Sequence, residues 1–176
     1  MAFVVKTPPD MDKLLAWKEK FPEIDPRALD ATIRLMITAN ELESMMESHF
    51  NEYDLTPARY STMLMLYKCP HKKAKPIDIA DHIGVTRGNM TGLLDNLERD
   101  EMILREDDPD DRRINYVRLS EKGTRHLMKL LPVHFNRIKK MLSTLTKSEI
   151  ETFVACLEKI RGGIAEVKKE TETPKK

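Results

Sequence analysis

A chain of 176 residues can form one or two small domains with buried cores. Charged residues make up 34% and hydrophobic residues 40%, which suits a soluble helical protein, and a net charge of +1 excludes a globally basic nucleic-acid binder. Cys69 and Cys156 lie far apart with no metal-like spacing, and the N-terminal MAFVVKTPPDMDK has no long apolar run, so a reducing cytoplasm is expected, with no disulfide framework, signal peptide or membrane span.

Residues 1–9 read as a tail ending in Pro8-Pro9. Asp10 can cap a short helix to about residue 20 that carries Leu14, Leu15 and Trp17, and Pro22 stops it. Asp25-Pro26 restarts the chain as a helix, a capping side chain followed by proline at the first helical position. Leu29, Ile33, Met36, Ile37, Leu42, Met45, Met46, His49 and Phe50 then recur mostly every three or four residues, one apolar stripe along about seven turns. A stripe that long calls for a second long helix or a second subunit.

Leu55-Thr56-Pro57 repeats the start signal for a helix to about Lys68, expected to bury Tyr60, Met63, Leu64 and Tyr67. Pro70 ends it, and His71 to Lys75 read as a basic loop. Pro76 opens a short helix with Ile77, Ala80 and Ile83 inward, and Gly84 suits the left-handed residue of a tight turn. Thr86 caps the next helix, with Met90, Leu93, Leu94 and Leu97 on one face and Arg87, Gly88, Asn89, Thr91 and Asp95 largely on the other. Met102 to Arg105 and Ile114 to Leu119 read as strands around the loop EDDPDDRR.

A short helix, a tight turn, a longer helix and a two-stranded hairpin spell a winged helix-turn-helix over residues 76–119. Gly88 and Gly92 remove bulk where a groove edge would approach, although a solvated surface helix accommodates the same pattern. Arg112 and Arg113 on a protruding hairpin can enter a narrow minor groove, or can simply neutralise the aspartates beside them. Between Gly84 and Arg125, eight arginines and lysines face ten acids, a local net charge of −2, so DNA binding requires the cations to be sorted onto one face.

Ser120 caps a helix to about Leu142, with Pro132 expected to kink it. Thr146 and Glu149 form a capping box for a last helix bearing Ile150, Phe153, Val154, Leu157, Ile160, Ile164 and Val167, a seam suited to packing between subunits. KKETETPKK is a polar tail. The expected organisation is mainly α with a small β wing: N-terminal helices over 1–54, a DNA-binding module over 55–125, C-terminal dimerisation helices over 126–170 and a tail over 171–176.

No catalytic constellation is present: the chain lacks HExxH, a P-loop, a nucleophile elbow and a glycine-rich dinucleotide loop, and its five histidines are scattered. The reading is therefore of a non-enzyme without metal or cofactor. A winged helix used for protein assembly alone is the competing class, supported by the net-negative wing segment.

Leu55-Thr56, Ile79-Ala80, Ile83-Gly84, Thr86, Met90-Thr91, Leu97-Glu98, Asp111-Arg112-Arg113, Val117, Leu119-Ser120 and Gly123 together resemble the MarR family, the multiple antibiotic resistance regulators. The likeness is dense from Leu55 to Gly123 and extends through helices of matching number over most of 25–168. It implies a cytoplasmic homodimer on a pseudo-palindromic double-stranded operator, commonly as a repressor. Thr86, Arg87, Gly88, Asn89 and Thr91 would lie at the major groove and Arg112 and Arg113 at the minor groove, with Asp111 holding Arg113. The family usually places glycine where this chain has Glu101. It also implies a small-molecule effector, for which Trp17, Met45, His49, Tyr60, Ser61 and Met63 are the candidate contacts, while ordinary core packing explains the same residues. The N-terminal helix with Trp17 and the Leu-Pro-x-His pattern at 131–134 are similar to a urate- and phenol-responsive branch, but Ser61 stands where that branch has an acid, so urate is not assigned. A ligand-independent or redox-responsive regulator remains a further alternative.

Overall fold

The computed structural model describes residues 7–108 and 115–172, the His71 side chain excepted. The chain divides into two compact units, one reaching to Met128 and the other starting at Lys129.

The first unit begins with α1, Met11–Lys20, capped by Asp10, whose carboxylate accepts from the Asp12 amide at 3.1 Å. Leu14 is its one buried residue, and Leu15 and Trp17 are exposed. Helix α2, Pro26–Asn51, starts where the Asp25-Pro26 signal puts it, with the Asp25 carboxylate accepting from the amides of Arg27 and Ala28. Of its long stripe only His49 and Phe50 are buried, and Leu42 is exposed.

Helix α3, Pro57–Lys68, is capped by the Thr56 hydroxyl. It buries Tyr60, Thr62, Met63 and Leu66. Leu64 is only half-buried and Tyr67 is exposed, contrary to expectation. The helix packs against α2 and against the later helices and sheet, so more than one face is covered and the apolar pattern does not single out the innermost side. The segment after it is not a loop throughout. A 3-10 turn, Pro70–Lys72, leads into a short strand β1, Lys73–Ala74.

Helix α4, Pro76–Ile83, turns Ile79 and Ala80 inward and leaves Ile77 exposed. Residues two apart lie on opposite sides of a helix, so Ile77 and Ile79 cannot both enter the core. Gly84 ends it in the left-handed conformation, φ 74° and ψ 30°, and its amide and that of Val85 both donate to the Ala80 carbonyl. Helix α5, Arg87–Arg99, follows at once and buries Met90, Leu94 and Leu97.

Strands β2, Ile103–Asp107, and β3, Asn115–Leu119, complete an antiparallel sheet in the order β1-β3-β2, with Ala74 opposite Val117 and Ile103 opposite Leu119. Ala74, Val117, Ile103 and Leu119 are all buried beneath the helices. Helix α6, Glu121–Met141, starts at Ser120 and carries Pro132 within it without ending there.

In the second unit, α7, Lys147–Glu172, opens on the expected capping box. The Thr146 amide donates to Glu149 at 2.7 Å, and the Glu149 amide donates to the Thr146 hydroxyl at 3.3 Å. The Thr146 amide and the Thr146 hydroxyl, which donates to the same carboxylate oxygen at 2.8 Å, hold the Glu149 carboxyl below its usual range. No residue of this 26-residue helix is buried.

Candidate nucleic-acid interface

The start of α5 is held by the Thr86 hydroxyl, which accepts from the Asn89 amide at 3.3 Å, and by the buried row Met90, Leu94 and Leu97. With that row fixed inward, Arg87, Gly88, Asn89, Thr91 and Gly92 are all exposed on the outer side. A methyl group added at Gly88 or Gly92 would meet nothing within 4 Å. Each glycine therefore forgoes roughly 1 kcal/mol of helix propensity with no contact inside the molecule to require it. Pro76, Ile77 and Ala80 of α4 and Arg87, Met90 and Thr91 of α5 border a groove of about 280 Å³. Sequence reasoning placed Ile77 in the core, yet it lines this outer groove.

Many of the acids are paired with cations. Arg105 is bound to Asp95 and lies 3.3 Å from Glu98. Arg118 pairs with Glu106, Arg59 with Asp100, and Lys122 with Glu101 at 2.8 Å. These contacts occupy the second half of α5, the turn after it and the sheet. Arg87, at the opposite end of α5, has no acidic partner among the described residues. The acids of α5 thus cluster at its far end, away from Arg87, which leaves the helix start free of negative side chains, as DNA binding favours in a net-negative segment.

The turn into β2 is left-handed at Glu101, φ 60°, so the backbone takes a glycine-like conformation without a glycine. The Glu101 carbonyl accepts from the Ser120 hydroxyl at 2.6 Å, and Lys122 beside its carboxylate lowers that group's pKa. The same Ser120 hydroxyl accepts from the Gly123 amide at 2.8 Å, and the Ser120 amide donates to the Met102 carbonyl at 3.0 Å. Asp111, Arg112 and Arg113 lie outside the described residues.

The effector candidates do not gather in one place. His49 and Phe50 have ring centroids 5.3 Å apart, and Phe50 stacks on Tyr60 at 4.4 Å. Tyr60 and Met63 are buried in the same core, and burial raises the Tyr60 phenol. Trp17 is exposed on α1 and Met45 is half-buried on α2. Ser61 lines a groove, about 330 Å³, with Leu64, Met65, Lys68, His82 and Ile83. Sequence reasoning missed these five neighbours, because α3 and α4 meet only in the fold. Cys69 is half-buried and its thiol donates to the Lys73 carbonyl at 3.3 Å, while Cys156 is exposed on α7. Among the described residues no cluster of metal-ligating side chains forms, and no helix is long and apolar enough to cross a membrane.

Three helices, α3 to α5, packed on a β1-β3-β2 sheet with a tight left-handed turn between α4 and α5 define a winged helix-turn-helix. The MarR family model matches residues 55–114, the span of this module up to the end of the β2–β3 connection. The uncharacterized HTH-type transcriptional regulator YkoM of Bacillus subtilis (strain 168) is 32% identical over 108 residues, covering 61% of this chain and 69% of YkoM. The HTH-type transcriptional regulator MhqR of the same organism is 29% identical over 135 residues, 76% of this chain and 91% of MhqR. The crystal structure of the S. aureus MepR–DNA complex superposes with a TM-score of 0.68 at 23% identity, over 75% of this chain and 96% of that one. The chain belongs to the MarR family, whose members are DNA-binding transcriptional regulators and not enzymes.

Proposed function

We propose that the protein is a homodimeric repressor that reads a pseudo-palindromic operator with α5 and leaves it when a small amphipathic ligand binds. The observation that carries the DNA-reading part is the pair Gly88 and Gly92, exposed and contact-free beside Arg87, Asn89 and Thr91. Small residues flanked by hydrogen-bonding ones suit a helix pressed into a major groove, where Asn reads adenine and Arg reads guanine or phosphate. Thr86 sits at the helix start, where its cap and the backbone amides favour a phosphate. Arg112 and Arg113 would take the minor groove beside it, held by Asp111.

The exposed face of α7 supports the dimer. Phe153, Val154, Ile160, Ile164 and Val167 are all between 44% and 60% exposed, an apolar seam that water does not stabilise alone. A second copy supplies the matching face, and an operator of two half-sites calls for two α5 helices about one DNA turn apart, roughly 34 Å. For the ligand, the Ser61 groove offers Leu64, Met65 and Ile83 as apolar walls and Lys68 and His82 as donors, a lining suited to a small apolar anion. Ligand in that groove between α3 and α4 would bias the spacing of the two α5 helices and release DNA.

Selection of bound duplexes from a random pool tests the reading. The expected outcome is an inverted repeat with half-sites one turn apart, bound with a steep salt dependence. A pool that yields no motif, or a single asymmetric half-site bound by monomer, overturns it.

A further inference from the structure

The outer face of the sheet carries a second basic site that neither the helix-turn-helix nor the wing arginines account for. Lys73 of β1 and Lys75, still extended just after it, flank the buried Ala74, so both lysines lie on the side of the chain opposite it. Register places Lys73 opposite Arg118 and Ala74 opposite Val117, which brings the outward Tyr116 beside Lys75. The Lys73 ammonium stands 4.4 Å from the centre of the Tyr116 ring and the Lys75 ammonium 5.9 Å from it. Two like charges are thus gathered around one aromatic ring, whose π system holds cations without neutralising them.

The nearest competitor is already used. Glu106 lies opposite Tyr116 in the register with β2, and its carboxylate is bound to Arg118. Neither Lys73 nor Lys75 has an acidic partner among the described residues. Asp78, exposed in the first turn of α4, is the acid closest in sequence and pairs with neither. Pre-positioned lysines without acids are the chemistry of a phosphate contact.

Their place selects the partner. Lys75 is the N-cap of α4, and the next residue, Pro76, borders the groove that Arg87 and Thr91 border from α5. Tyr116 lies one residue inside the β3 end that leads to the wing loop. The pair therefore lies between the α5 groove and the β3 end that leads to the wing, where a duplex read by both would pass.

We propose that Lys73 and Lys75, positioned by Tyr116, clamp successive backbone phosphates of the same operator duplex that α5 reads. This rests on the DNA-binding reading above. Such contacts fix register and supply affinity without reading sequence. Each phosphate neutralised adds about 0.9 to the slope of log affinity against log salt.

The test compares wild type, the double variant K73Q/K75Q, N89A and Y116L on a selected operator duplex and on a random-sequence duplex, across salt concentrations. Glutamine keeps an apolar stem against the ring and guards against a folding defect, which thermal melts check. The double variant should lower the salt slope by about 2 and weaken both duplexes by the same factor. N89A should keep the slope and lose the ratio between duplexes. Y116L should weaken both duplexes less than the double variant does. An unchanged slope in a folded double variant, with wild type binding normally, overturns the clamp. Loss of affinity for the selected duplex alone also overturns it, because that marks a sequence contact. If wild type itself shows no salt-dependent binding to either duplex, the DNA-binding reading fails and the clamp fails with it.

Discussion

Gly123 is the position where a single methyl group should do most damage. A Cβ built there lies 2.0 Å from the Met102 carbonyl oxygen and 2.9 Å from its carbon, both backbone atoms that no rotamer change can move. Ordinary contact therefore requires the β2 entry to retreat from α6 by more than an ångström, roughly, since carbon contacts favour about 3.5 Å. Three bonds converge on this junction: Ser120 amide to Met102 carbonyl, Ser120 hydroxyl to Glu101 carbonyl, and Gly123 amide to Ser120 hydroxyl. Ser120 is buried, so water does not replace them freely. At about 1 kcal/mol each, Gly123→Ala should cost about 3 kcal/mol, a large share of the 5–15 kcal/mol typical of a folded protein. For a chain of this size that lowers Tm by roughly 6–12 °C. Urea denaturation at one fixed protein concentration measures it, with Gly92→Ala as control. The control has open space and should gain roughly 0.5–1 kcal/mol. A loss below about 1 kcal/mol for Gly123→Ala would refute the claim that the turn, the strand and α6 are locked together.

Other outcomes follow from the same geometry. A left-handed backbone costs a residue with a Cβ about 1 kcal/mol or more, so Glu101→Gly should raise Tm despite losing the exposed contact to Lys122, and a lower Tm would contradict the φ of 60°. Gly88→Ala should stabilise the free protein slightly yet weaken operator binding at least tenfold, about 1.4 kcal/mol; unchanged affinity would remove the groove argument. The charged variant Ile164→Asp should shift the protein toward monomer in sedimentation equilibrium, whereas a persistent dimer would exclude the α7 seam. The Glu149 carboxyl is held low in the folded chain, so its contribution is present above the usual glutamate value and is lost as pH falls through the lower folded value. Glu149→Gln should accordingly lower stability at neutral pH, where the wild-type carboxylate is charged, and flatten that acidic limb so that the two proteins converge at low pH, and an unaltered limb would refute the capping contribution.

Local chemistry was legible wherever it was complete within four residues. Asp25-Pro26, Thr56-Pro57, Thr86 and Thr146-x-x-Glu149 each announce a helix start, and each makes the bond its sequence implies. Face selection was legible for α5, because one apolar row, Met90, Leu94 and Leu97, opposes a polar side. It failed for α3, which is packed on several sides, and for α4, where Ile77 and Ile79 offer competing apolar faces in eight residues. Strand β1 was illegible because two residues carry no alternation, and only pairing with β3 makes them a strand.

Charge was the least legible property, since a net of −2 says nothing about position. The fold converts that number into a pattern. Antiparallel register brings Glu106 and Arg118 to the same face, and the α5–β2 turn brings Arg105 back against Asp95 and Glu98. Acids with partners project less field than their count implies, so Arg87, Lys73 and Lys75 dominate locally. A winged module can in this way stay near neutral overall, which limits indiscriminate binding, while keeping a positive path for one duplex. Raising the net charge with lysines outside that path should then increase affinity for random DNA more than for the operator, lowering their ratio. A ratio that holds constant as such lysines are added would show that the total charge, and not its arrangement, governs recognition.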